Sequence, residues 1–231
     1  MKRILLKLSG EALAGESGRG FSEAEVSRVA AEVKKLVDEG YQLGIVIGGG
    51  NFWRGRTSED MDRVKADQIG MLATVMNAVY TADAFTRMGM TCHVTTPYAI
   101  GDITELYVRD RAIEYMEKGE IVFFAGGTSH PYFSTDMAAV LRAVETKCDA
   151  IFSAKAIDGV YDSDPKINPD AKKYDTMQMS DIVDQKLGVI DLASAVLAME
   201  NHMPMLLFAL SEEDSIVRAA RGEKIGTMIE A

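Results

Sequence analysis

The N-terminal fifty residues contain a strand, an amphipathic helix and a second strand, and the second strand runs directly into three glycines. The apolar run at residues 3–8 (RILLKL) is typical of a strand, as is the run at 43–47. Between them, Ser22 and Glu25 match the capping box of a helix that ends before Gly40. One face of this helix is apolar and carries Val26, Val29, Val33, Leu36 and Val37. This β-α-β unit predicts a parallel sheet with a right-handed crossover.

The rest of the chain continues the same alternation. Further strands are predicted at 91–96, 120–125, 150–153, 157–161, 205–209 and 226–229. Helices are predicted at 61–88, 105–118, 136–147, 180–186, 191–201 and 212–221. The segment 162–174, with two prolines, reads as a solvated loop. We therefore expect an α/β fold, a three-layer sandwich with a mainly parallel twisted central sheet, over a single domain at residues 1–231.

Composition narrows the class of protein. The chain has 231 residues, 47% of them hydrophobic, and no apolar run long enough to cross a membrane. Lys7 and Glu11 interrupt the apolar N-terminal stretch, which argues against a signal peptide. Two cysteines, Cys92 and Cys148, are too few for a disulfide framework and are expected to be inert buried thiols. These features predict a cytoplasmic protein that has no membrane partner.

The charge of the chain is unevenly distributed. A net charge of −10 argues against a nucleic-acid partner. Residues 1–66 carry 11 Lys and Arg against 10 Asp and Glu, whereas residues 67–231 carry 14 against 25. A locally basic part of an acidic protein suits a small anionic ligand better than a polyanion.

Several common nucleotide and metal motifs are missing from the sequence. No glycine is followed by lysine, which excludes a P-loop, and Trp53 stands where the third glycine of a dinucleotide fingerprint would be. The histidines at 93, 130 and 202 lack metal-ligand spacing, so we predict no metal site built by the protein alone.

Three glycine-rich turns directly follow predicted strands. They are Lys7-Leu8-Ser9-Gly10, then Gly48-Gly49-Gly50-Asn51 with Arg54 and Arg56 close behind, and finally the segment 126–136 before a helix. Backbone N–H groups, a lysine and arginines are the groups that bind phosphate. In a doubly wound sheet such turns meet at the carboxyl edge, where ligands bind.

Each feature taken alone also has a structural interpretation. Lys7 could be a solvated lysine at a strand end, Asp136 a helix cap, and Asp158-Gly159 a plain hairpin turn. Asp67, near the start of a mostly apolar helix, could simply interact with the helix N-terminus. The joint occurrence of three anion-suited turns favours the functional interpretation.

The sequence resembles the bacterial-type UMP kinases of the amino acid kinase family over nearly its whole length. The segments that carry the resemblance are RILLKLSGEAL at the start, VIGGGNFWRG at 46–55, GMLATVMNA at 70–78, PYFSTDMAAVLRAVE at 131–145, DGVYDSDPKINPDAKKY at 158–174 and VIDLASAVLA at 189–198. Related carbamate and acetylglutamate kinases share the fold but not GMLATVMN. The resemblance implies the amino acid kinase fold, with an N-terminal acceptor-binding lobe and a C-terminal ATP-binding lobe.

The resemblance also implies an activity and a set of site residues. The reaction would transfer the γ-phosphoryl group of ATP, accompanied by Mg²⁺, to UMP. The catalytic residues would be Lys7, Arg54 and Asp136. The ATP side would comprise Lys7, Leu8, Ser9, Gly10, Gly50, Arg54, Lys155, Tyr161 and Asp164. The UMP side would comprise Gly49, Asp67, Thr128, Ser129, His130, Pro131, Tyr132, Phe133, Ser134 and Thr135, with Asp67 accepting hydrogen bonds from the ribose hydroxyls.

Regulation and assembly are further implications of the resemblance. The loop of Gly15, Glu16, Ser17, Gly18, Arg19 and Gly20 matches a segment tied to activation by GTP, although it could be a plain surface loop. UTP would inhibit, and the protein would be a homohexamer in pyrimidine nucleotide synthesis. The stretch 69–80 is apolar on almost every face, so its helix belongs either deep in the core or half in a subunit interface.

The sequence departs from the usual family pattern at two places, and it leaves two alternative functions open. Ser129-His130 stand where the family often has Gly-Asn, and Lys155 replaces a Thr or Asn common at the adenosine side. A kinase of the same fold acting on a carboxylate or carbamate is one alternative. A binding protein that kept the fold and lost catalysis is the other, and the presence of Lys7, Arg54 and Asp136 argues against it.

Overall fold

A nine-stranded sheet forms the centre of the computed structural model, which describes residues 2–53, 61–165, 167–185 and 187–231. The strands of the described residues are β1 (Arg3–Leu8), β2 (Gln42–Ile47), β3 (Cys92–Thr96), β4 (Glu105–Leu106), β5 (Ile121–Phe124), β6 (Ala150–Lys155), β7 (Val160–Tyr161), β8 (Lys173–Tyr174), β9 (Thr176–Gln178), β10 (Met205–Ala209) and β11 (Thr227–Glu230). The sheet order is β4-β3-β5-β2-β1-β6-β10-β11-β9, and β7 pairs with β8 in a separate antiparallel hairpin. Within the sheet, β10 and β11 are antiparallel and the other pairs are parallel.

Helices cover both faces of this sheet. They are α1 (Gly10–Leu13), α2 (Glu23–Asp38), α3 (Arg63–Arg87), α4 (Arg109–Glu117), α5 (Thr135–Glu145), α6 (Met179–Gln185), α7 (Leu192–Glu200) and α8 (Ser215–Ala220). One buried cluster joins the sheet to α2, α3 and α8, and a second joins it to α4, α5, α6 and α7. The expected three-layer α/β sandwich with a mainly parallel sheet is confirmed.

The side chains of β1 alternate between these two clusters. Ile4, Leu6 and Leu8 pack with α2 and α3, whereas Leu5 packs on the opposite side with α5. Successive side chains of a strand point to opposite faces, so Lys7, two residues after Leu5, points to the same face as Leu5. This alternation is why a lysine at the end of β1 faces α5.

The N-terminal β-α-β unit agrees with its prediction in detail. The Ser22 side chain accepts a hydrogen bond from the Glu25 N–H at 3.4 Å and caps α2. The helix ends at Asp38, and Gly40 follows it with φ +80°. Strands β1 and β2 pair in parallel, with Leu8 opposite Ile47.

Three local predictions were wrong. The helix predicted at 105–118 begins only at Arg109, because Glu105–Leu106 pairs with the end of β3. The strand predicted at 157–161 is reduced to Val160–Tyr161, and its partner Lys173–Tyr174 lies inside the segment predicted to be a loop. Strand β9 was not predicted at all. Strands of two or three residues are too short to show an alternating pattern.

One face of helix α3 is buried in the core, and the opposite face is exposed in the described part of the chain. Its buried face includes Val75, Ala78 and Phe85. Its opposite face leaves Leu72 51%, Met76 48% and Val79 37% exposed. Long as it is, α3 is not apolar enough to span a membrane, and neither is any other described helix.

Candidate active site

An ion pair between Lys7 and Asp136 lies at the carboxyl edge of the sheet. The Lys7 Nζ is 2.8 Å from Asp136 Oδ1, and the two side chains are 12% and 20% exposed. Lys7 comes from the end of β1, and Asp136 comes from the first turn of α5, where Ser134 caps the helix through the Met137 N–H. The glycine turn and the segment 126–136 are therefore brought together as the sequence predicted.

The charge state of Asp136 is set by its neighbours. Burial works to raise the pKa of the Asp136 carboxyl, but the Lys7 and Lys155 ammonium groups outweigh burial and hold the pKa below its ordinary value. The backbone N–H of Asp191 also contributes to lowering the pKa of this carboxyl. Asp136 is thus a carboxylate at neutral pH, and it can orient the Lys7 ammonium.

Lys155 adds a second ammonium group to the same region. It lies at the end of β6, which is next to β1 in the sheet and on the opposite side of β1 from β2. Burial lowers the pKa of Lys155, the Lys7 charge lowers it further, and Asp136 and Asp191 act in the opposite direction. Its Nζ donates to the Val189 carbonyl.

Asp191 is a residue of this region that the sequence analysis did not select. It caps α7, accepting from the Ser194 N–H at 3.0 Å, and its carboxylate also accepts from the Ser134 hydroxyl. The N-termini of α5 and α7 are thereby linked to each other. An aspartate directly before an apolar helical run is a cap signal, but that signal does not reveal which other helix end the carboxylate meets.

A cavity of about 200 Å³ opens beside Asp67 and is called the Asp67 cavity here. It is lined by Arg63, Ala66, Asp67, Gly70, Met71, Thr74, Gly127, Phe133, Ser134 and Thr135. Asp67 Oδ2 accepts from Arg63 Nε at 2.8 Å and from the Tyr132 N–H at 2.7 Å. Arg63 also lies over the Tyr132 ring, 5.2 Å from its centroid. Arg63 was not selected from the sequence, because a charged residue in the first turn of a helix is common on surfaces.

The predicted segment 128–135 divides into two parts. Phe133, Ser134 and Thr135 line the Asp67 cavity, whereas the preceding residues 128–132 do not. Ser129 and Tyr132 have φ values of +68° and +73°, which are rare for residues other than glycine. Backbone strain of this kind often accompanies ligand-binding loops.

Two larger cavities are lined by other residues that the sequence analysis selected. The first, called the Tyr161 cavity, has about 790 Å³ and is lined by Tyr161 and Asp164 together with residues 156–160, 187–189 and 209–212 in part. The second, called the Lys155 cavity, has about 430 Å³ and is lined by Lys155, Ser9 and part of the loop 15–18. The two share Ala156 and Ser211. Ser9, two residues after Lys7, lines the Lys155 cavity, and Thr135, directly before Asp136, lines the Asp67 cavity. The two residues of the ion pair are therefore close in the chain to residues that line both cavities.

The glycines of the turns are required by close packing. A Cβ at Gly10 would lie 2.3 Å from the Gly48 carbonyl oxygen, and one at Gly49 would lie 2.9 Å from the Gly70 carbonyl oxygen. A side chain at either position would require backbone atoms to move, so the close approach of the two turns and α3 depends on glycine. Leu8 is fully buried, so its side chain belongs to the core. Arg54 and Arg56 lie outside the described residues.

The loop 15–20 contacts the second glycine turn. The Gly20 N–H donates to the Asn51 carbonyl at 3.3 Å, and Asn51 Nδ2 donates to the Gly20 carbonyl at 2.8 Å. Gly15, Gly18 and Gly20 have positive φ values. The loop therefore lies against the site rather than apart from it.

Comparison with known proteins identifies the family. The sequence model of the amino acid kinase family matches residues 2–209, which is most of the chain. The chain belongs to the amino acid kinase family. The resemblance to bacterial UMP kinases of this family is confirmed by solved structures. A UMP kinase from Bacillus anthracis is 39% identical over 99% of this chain and 96% of that chain, with a TM-score of 0.95.

Two other solved structures show how far the likeness extends. A UMP kinase from Ureaplasma parvum is 32% identical over 100% of this chain and 99% of that chain, with a TM-score of 0.93. A uridylate kinase from Archaeoglobus fulgidus is 26% identical over 99% of this chain and 100% of that chain, with a TM-score of 0.75. The whole amino acid kinase fold is therefore shared, and the likeness is not confined to the glycine turns.

Proposed function

We propose that this protein transfers the γ-phosphoryl group of ATP to UMP, which gives UDP and ADP. The observation that carries the proposal is the Lys7–Asp136 ion pair, whose chain neighbours Ser9 and Thr135 line the Lys155 cavity and the Asp67 cavity. Phosphoryl transfer between two bound substrates needs a cation at such a point, because negative charge spreads over the oxygens of the transferred group. The likeness to bacterial UMP kinases supports UMP as the acceptor.

The catalytic roles follow from charge and position. Lys7 neutralises the γ-phosphoryl oxygens, Asp136 orients Lys7, and the backbone N–H groups of Gly10, Gly49 and Gly50 hold oxygens near the transfer point. Arg54 is assigned to nearby phosphate charge on sequence grounds alone. No general base is needed, because the attacking phosphate of UMP is already an anion.

The two substrates occupy opposite sides of the ion pair. UMP is assigned to Gly49, Asp67 and residues 128–135 in an N-terminal acceptor lobe. ATP is assigned to the β1 turn together with a C-terminal lobe, over the Tyr161 and Lys155 cavities. Its residues are Lys7, Leu8, Ser9, Gly10, Gly50, Arg54, Lys155, Tyr161 and Asp164.

Mg²⁺ is expected to enter with ATP. Across the described ranges, no group of three or more His, Cys, Asp or Glu side chains could hold a metal ion by itself. Mg²⁺ commonly takes most of its ligands from substrate phosphates and water, so a single nearby carboxylate such as Asp136 fits its needs. Asp136 would face the ion through water, and the ion would neutralise phosphate charge when bound.

Regulation and assembly complete the proposal. GTP activates through the loop 15–20, UTP inhibits, and the exposed face of α3 joins subunits of a homohexamer. The protein works in the cytoplasm, in pyrimidine nucleotide synthesis. The contact of Gly20 with Asn51 supports a role of the loop at the site, and the exposure of Leu72 and Met76 supports a subunit contact through α3. The remaining assignments rest on the likeness to bacterial UMP kinases alone.

An acceptor panel in a coupled ADP-release assay tests the proposed reaction. ADP release with MgATP should be fastest with UMP among UMP, dUMP, CMP, AMP, carbamate and N-acetylglutamate. Asp136→Asn is the matched control for contaminating kinases, and it should lose activity by about a hundredfold. Faster turnover of a carboxylate or carbamate than of UMP, or equal activity in Asp136→Asn, would contradict the proposal.

A further inference from the structure

Two buried asparagines lie where the glycine turns meet, and the mechanism above does not use them. Asn51 is 3% exposed, and Asn77, on α3, is 0% exposed. Their side-chain amides form a reciprocal pair. Asn51 Nδ2 donates to Asn77 Oδ1 at 2.9 Å, and Asn77 Nδ2 donates to Asn51 Oδ1 at 2.8 Å. Because a buried amide costs free energy unless it is hydrogen-bonded, the remaining N–H groups indicate what else the pair holds.

Each remaining N–H group holds a backbone carbonyl. Asn77 Nδ2 donates to the Gly48 carbonyl at 2.7 Å, and Asn51 Nδ2 donates to the Gly20 carbonyl at 2.8 Å. Rotating either amide by 180° would set its oxygen against a carbonyl oxygen, so this network determines the orientation of both side chains. The pair therefore ties α3 to the second glycine turn and to the loop 15–20.

The first glycine turn rests directly on the same pair. A Cβ at Gly10 would lie 2.4 Å from Asn51 Oδ1 and 2.9 Å from Asn77 Nδ2. In addition, the Gly48 N–H donates to the Leu8 carbonyl at 3.0 Å. The two glycine turns and the loop 15–20 thus meet at two side-chain amides.

We propose that Asn51 and Asn77 are positioning residues, which set the spacing between the two glycine turns and couple both turns to the loop 15–20. This inference rests on the proposed function, because the turns are taken to hold the phosphates during transfer. A shift of the turns by a fraction of an ångström would move the backbone N–H groups away from the transferred oxygens. Such a shift lowers the rate of the chemical step more than it weakens substrate binding.

A purely structural role predicts a different result. Loss of a buried hydrogen-bonded pair would then lower the free energy of unfolding and leave turnover per folded molecule unchanged. Thr81 offers a matched control, since it lies four residues beyond Asn77 on α3. It is 0% exposed, and its hydroxyl has no hydrogen-bond partner in the described part of the chain.

The kinetic experiment compares Asn51→Leu, Asn77→Leu, the double variant and Thr81→Val. Each asparagine variant should lower kcat about tenfold or more while the KM values for UMP and ATP change less than about threefold. The double variant should be no worse than the poorer single variant, because both substitutions break one network. Thr81→Val should keep the parental kcat.

Hydrogen exchange supplies a readout that needs no turnover. In the asparagine variants, exchange should quicken in peptides covering 9–20 and 48–53 and stay parental in α8. Asn77→Ser, which is smaller and keeps a hydroxyl, replaces Asn77→Leu if the latter does not fold. Because hydrogen exchange does not depend on turnover, it tests the inference even if the parent has no UMP kinase activity.

Three results would overturn the inference. The first is a kcat within twofold of the parent in folded asparagine variants. The second is an equal loss in Thr81→Val. The third is parental exchange at 9–20 and 48–53 in variants that have lost both amides.

Discussion

Lys7 illustrates how one strand position can be both buried and functional. Its parity on β1 directs it to the α5 side, and Asp136 meets its ammonium at 2.8 Å. Removing one partner of a mostly buried ion pair costs about 3–5 kcal/mol, because the other charge is left uncompensated. Lys155 lies close enough to Asp136 to lower the pKa of that carboxyl. Asp136 would therefore keep one cationic neighbour if Lys7 were removed.

The first prediction is that Lys7→Ala folds and loses turnover by about a hundredfold or more. The remaining Lys155 charge should partly compensate the buried Asp136 carboxylate, so the variant should fold. Its circular dichroism spectrum should therefore match that of the parent. Steady-state ADP release with UMP measures the loss. Near-parental activity in a folded Lys7→Ala protein would contradict the assignment.

The second prediction concerns the acceptor sugar. Asp67 lines the cavity beside residues 133–135, and a site built around ribose hydroxyls leaves its own polar group unpaired when one hydroxyl is missing. The protein should therefore prefer UMP to dUMP, and Asp67→Asn should narrow the ratio of the two kcat/KM values by about tenfold or more while sparing the KM for ATP. An unchanged ratio would return Asp67 to a purely structural role, as partner of Arg63 and the Tyr132 N–H.

Local sequence was enough to select the two residues of the ion pair, whose catalytic role stays a prediction. Lys7 lies at the end of a recognisable strand and Asp136 in the first turn of a recognisable helix. Asn77 could not be selected as a positioning residue, because its partners Gly48 and Asn51 come from a segment 26 residues or more away in the chain. Periodicity places it on the buried face of α3 but does not show what it meets there.

At the scale of elements, α3 has two apolar faces with different surroundings. The inner face packs on the sheet, and the outer face leaves Leu72, Met76 and Val79 at least 37% exposed. These positions are spaced three and four residues apart, which places them on one side of the helix. Because these side chains are exposed, the structure favours the interpretation that the stretch 69–80 lies half in a subunit interface over the interpretation that it lies deep in the core.

The third prediction is that this outer face holds subunits together. Light scattering at micromolar concentration should show a closed oligomer for the parent, and Met76→Glu should reduce the molar mass, because it buries a charge in the contact. Ile167→Glu is the control, since Ile167 is 82% exposed in the loop between β7 and β8. A parent that is monomeric at 25.2 kDa would refute the prediction.

The fourth prediction concerns the loop 15–20. Saturating GTP should raise the rate of UDP formation at subsaturating UMP, and Arg19→Ala should weaken the response severalfold, because a guanidinium is a strong phosphate ligand. Initial rates at several GTP concentrations measure the effect. Identical UMP and ATP kinetics with and without GTP would leave the segment as a surface loop.

Element prediction was most accurate where periodicity and caps agree. Helix α2 has both a capping box and an apolar stripe, and its ends matched. The sequence did not predict β4 or β9. Each is an edge strand of two or three residues, and its extended conformation depends on pairing with β3 or β11, respectively. Pairing of this kind depends on distant neighbours, which local sequence does not contain.

At the scale of the whole molecule, several carboxyl groups make stability depend on pH. The backbone N–H groups of Lys2 and Arg3 lower the pKa of Asp149, and Lys7 and Lys155 outweigh burial to lower that of Asp136. A carboxyl with a lowered pKa stabilises the fold above its unfolded pKa, and that contribution is lost as pH falls through the folded value. Glu32, whose pKa is raised by burial, contributes in the opposite direction.

The fifth prediction is that the free energy of unfolding falls as pH decreases from about 5 to about 3. Urea unfolding at a series of pH values measures the decrease. Asp136→Asn should lose less stability over this range, because the amide does not titrate. Equal stability of the parent at pH 7 and pH 3 would show that these carboxyl groups are not coupled to folding.

The global architecture could be predicted from the alternation of strands and helices, and the strand order could not. The parallel neighbours β1 and β2 follow from the first crossover. That β6 lies on the other side of β1, and that β11 reverses direction, depends on packing among helices far apart in sequence. Those contacts also bring the Lys155 cavity beside the β1 turn.

The central place of β1 has a consequence for biosynthesis on the ribosome. The strands on one side of it, through β4, all come from residues up to Phe124, whereas β6 is completed only at Lys155. A nascent chain can therefore assemble half of the sheet while one edge of β1 still lacks its neighbour. An open, apolar strand edge is a template for pairing with other chains. The time taken to synthesise the chain from Phe124 to Lys155 thus sets how long the edge of β1 stays open, after which the edge of β6 waits for β10.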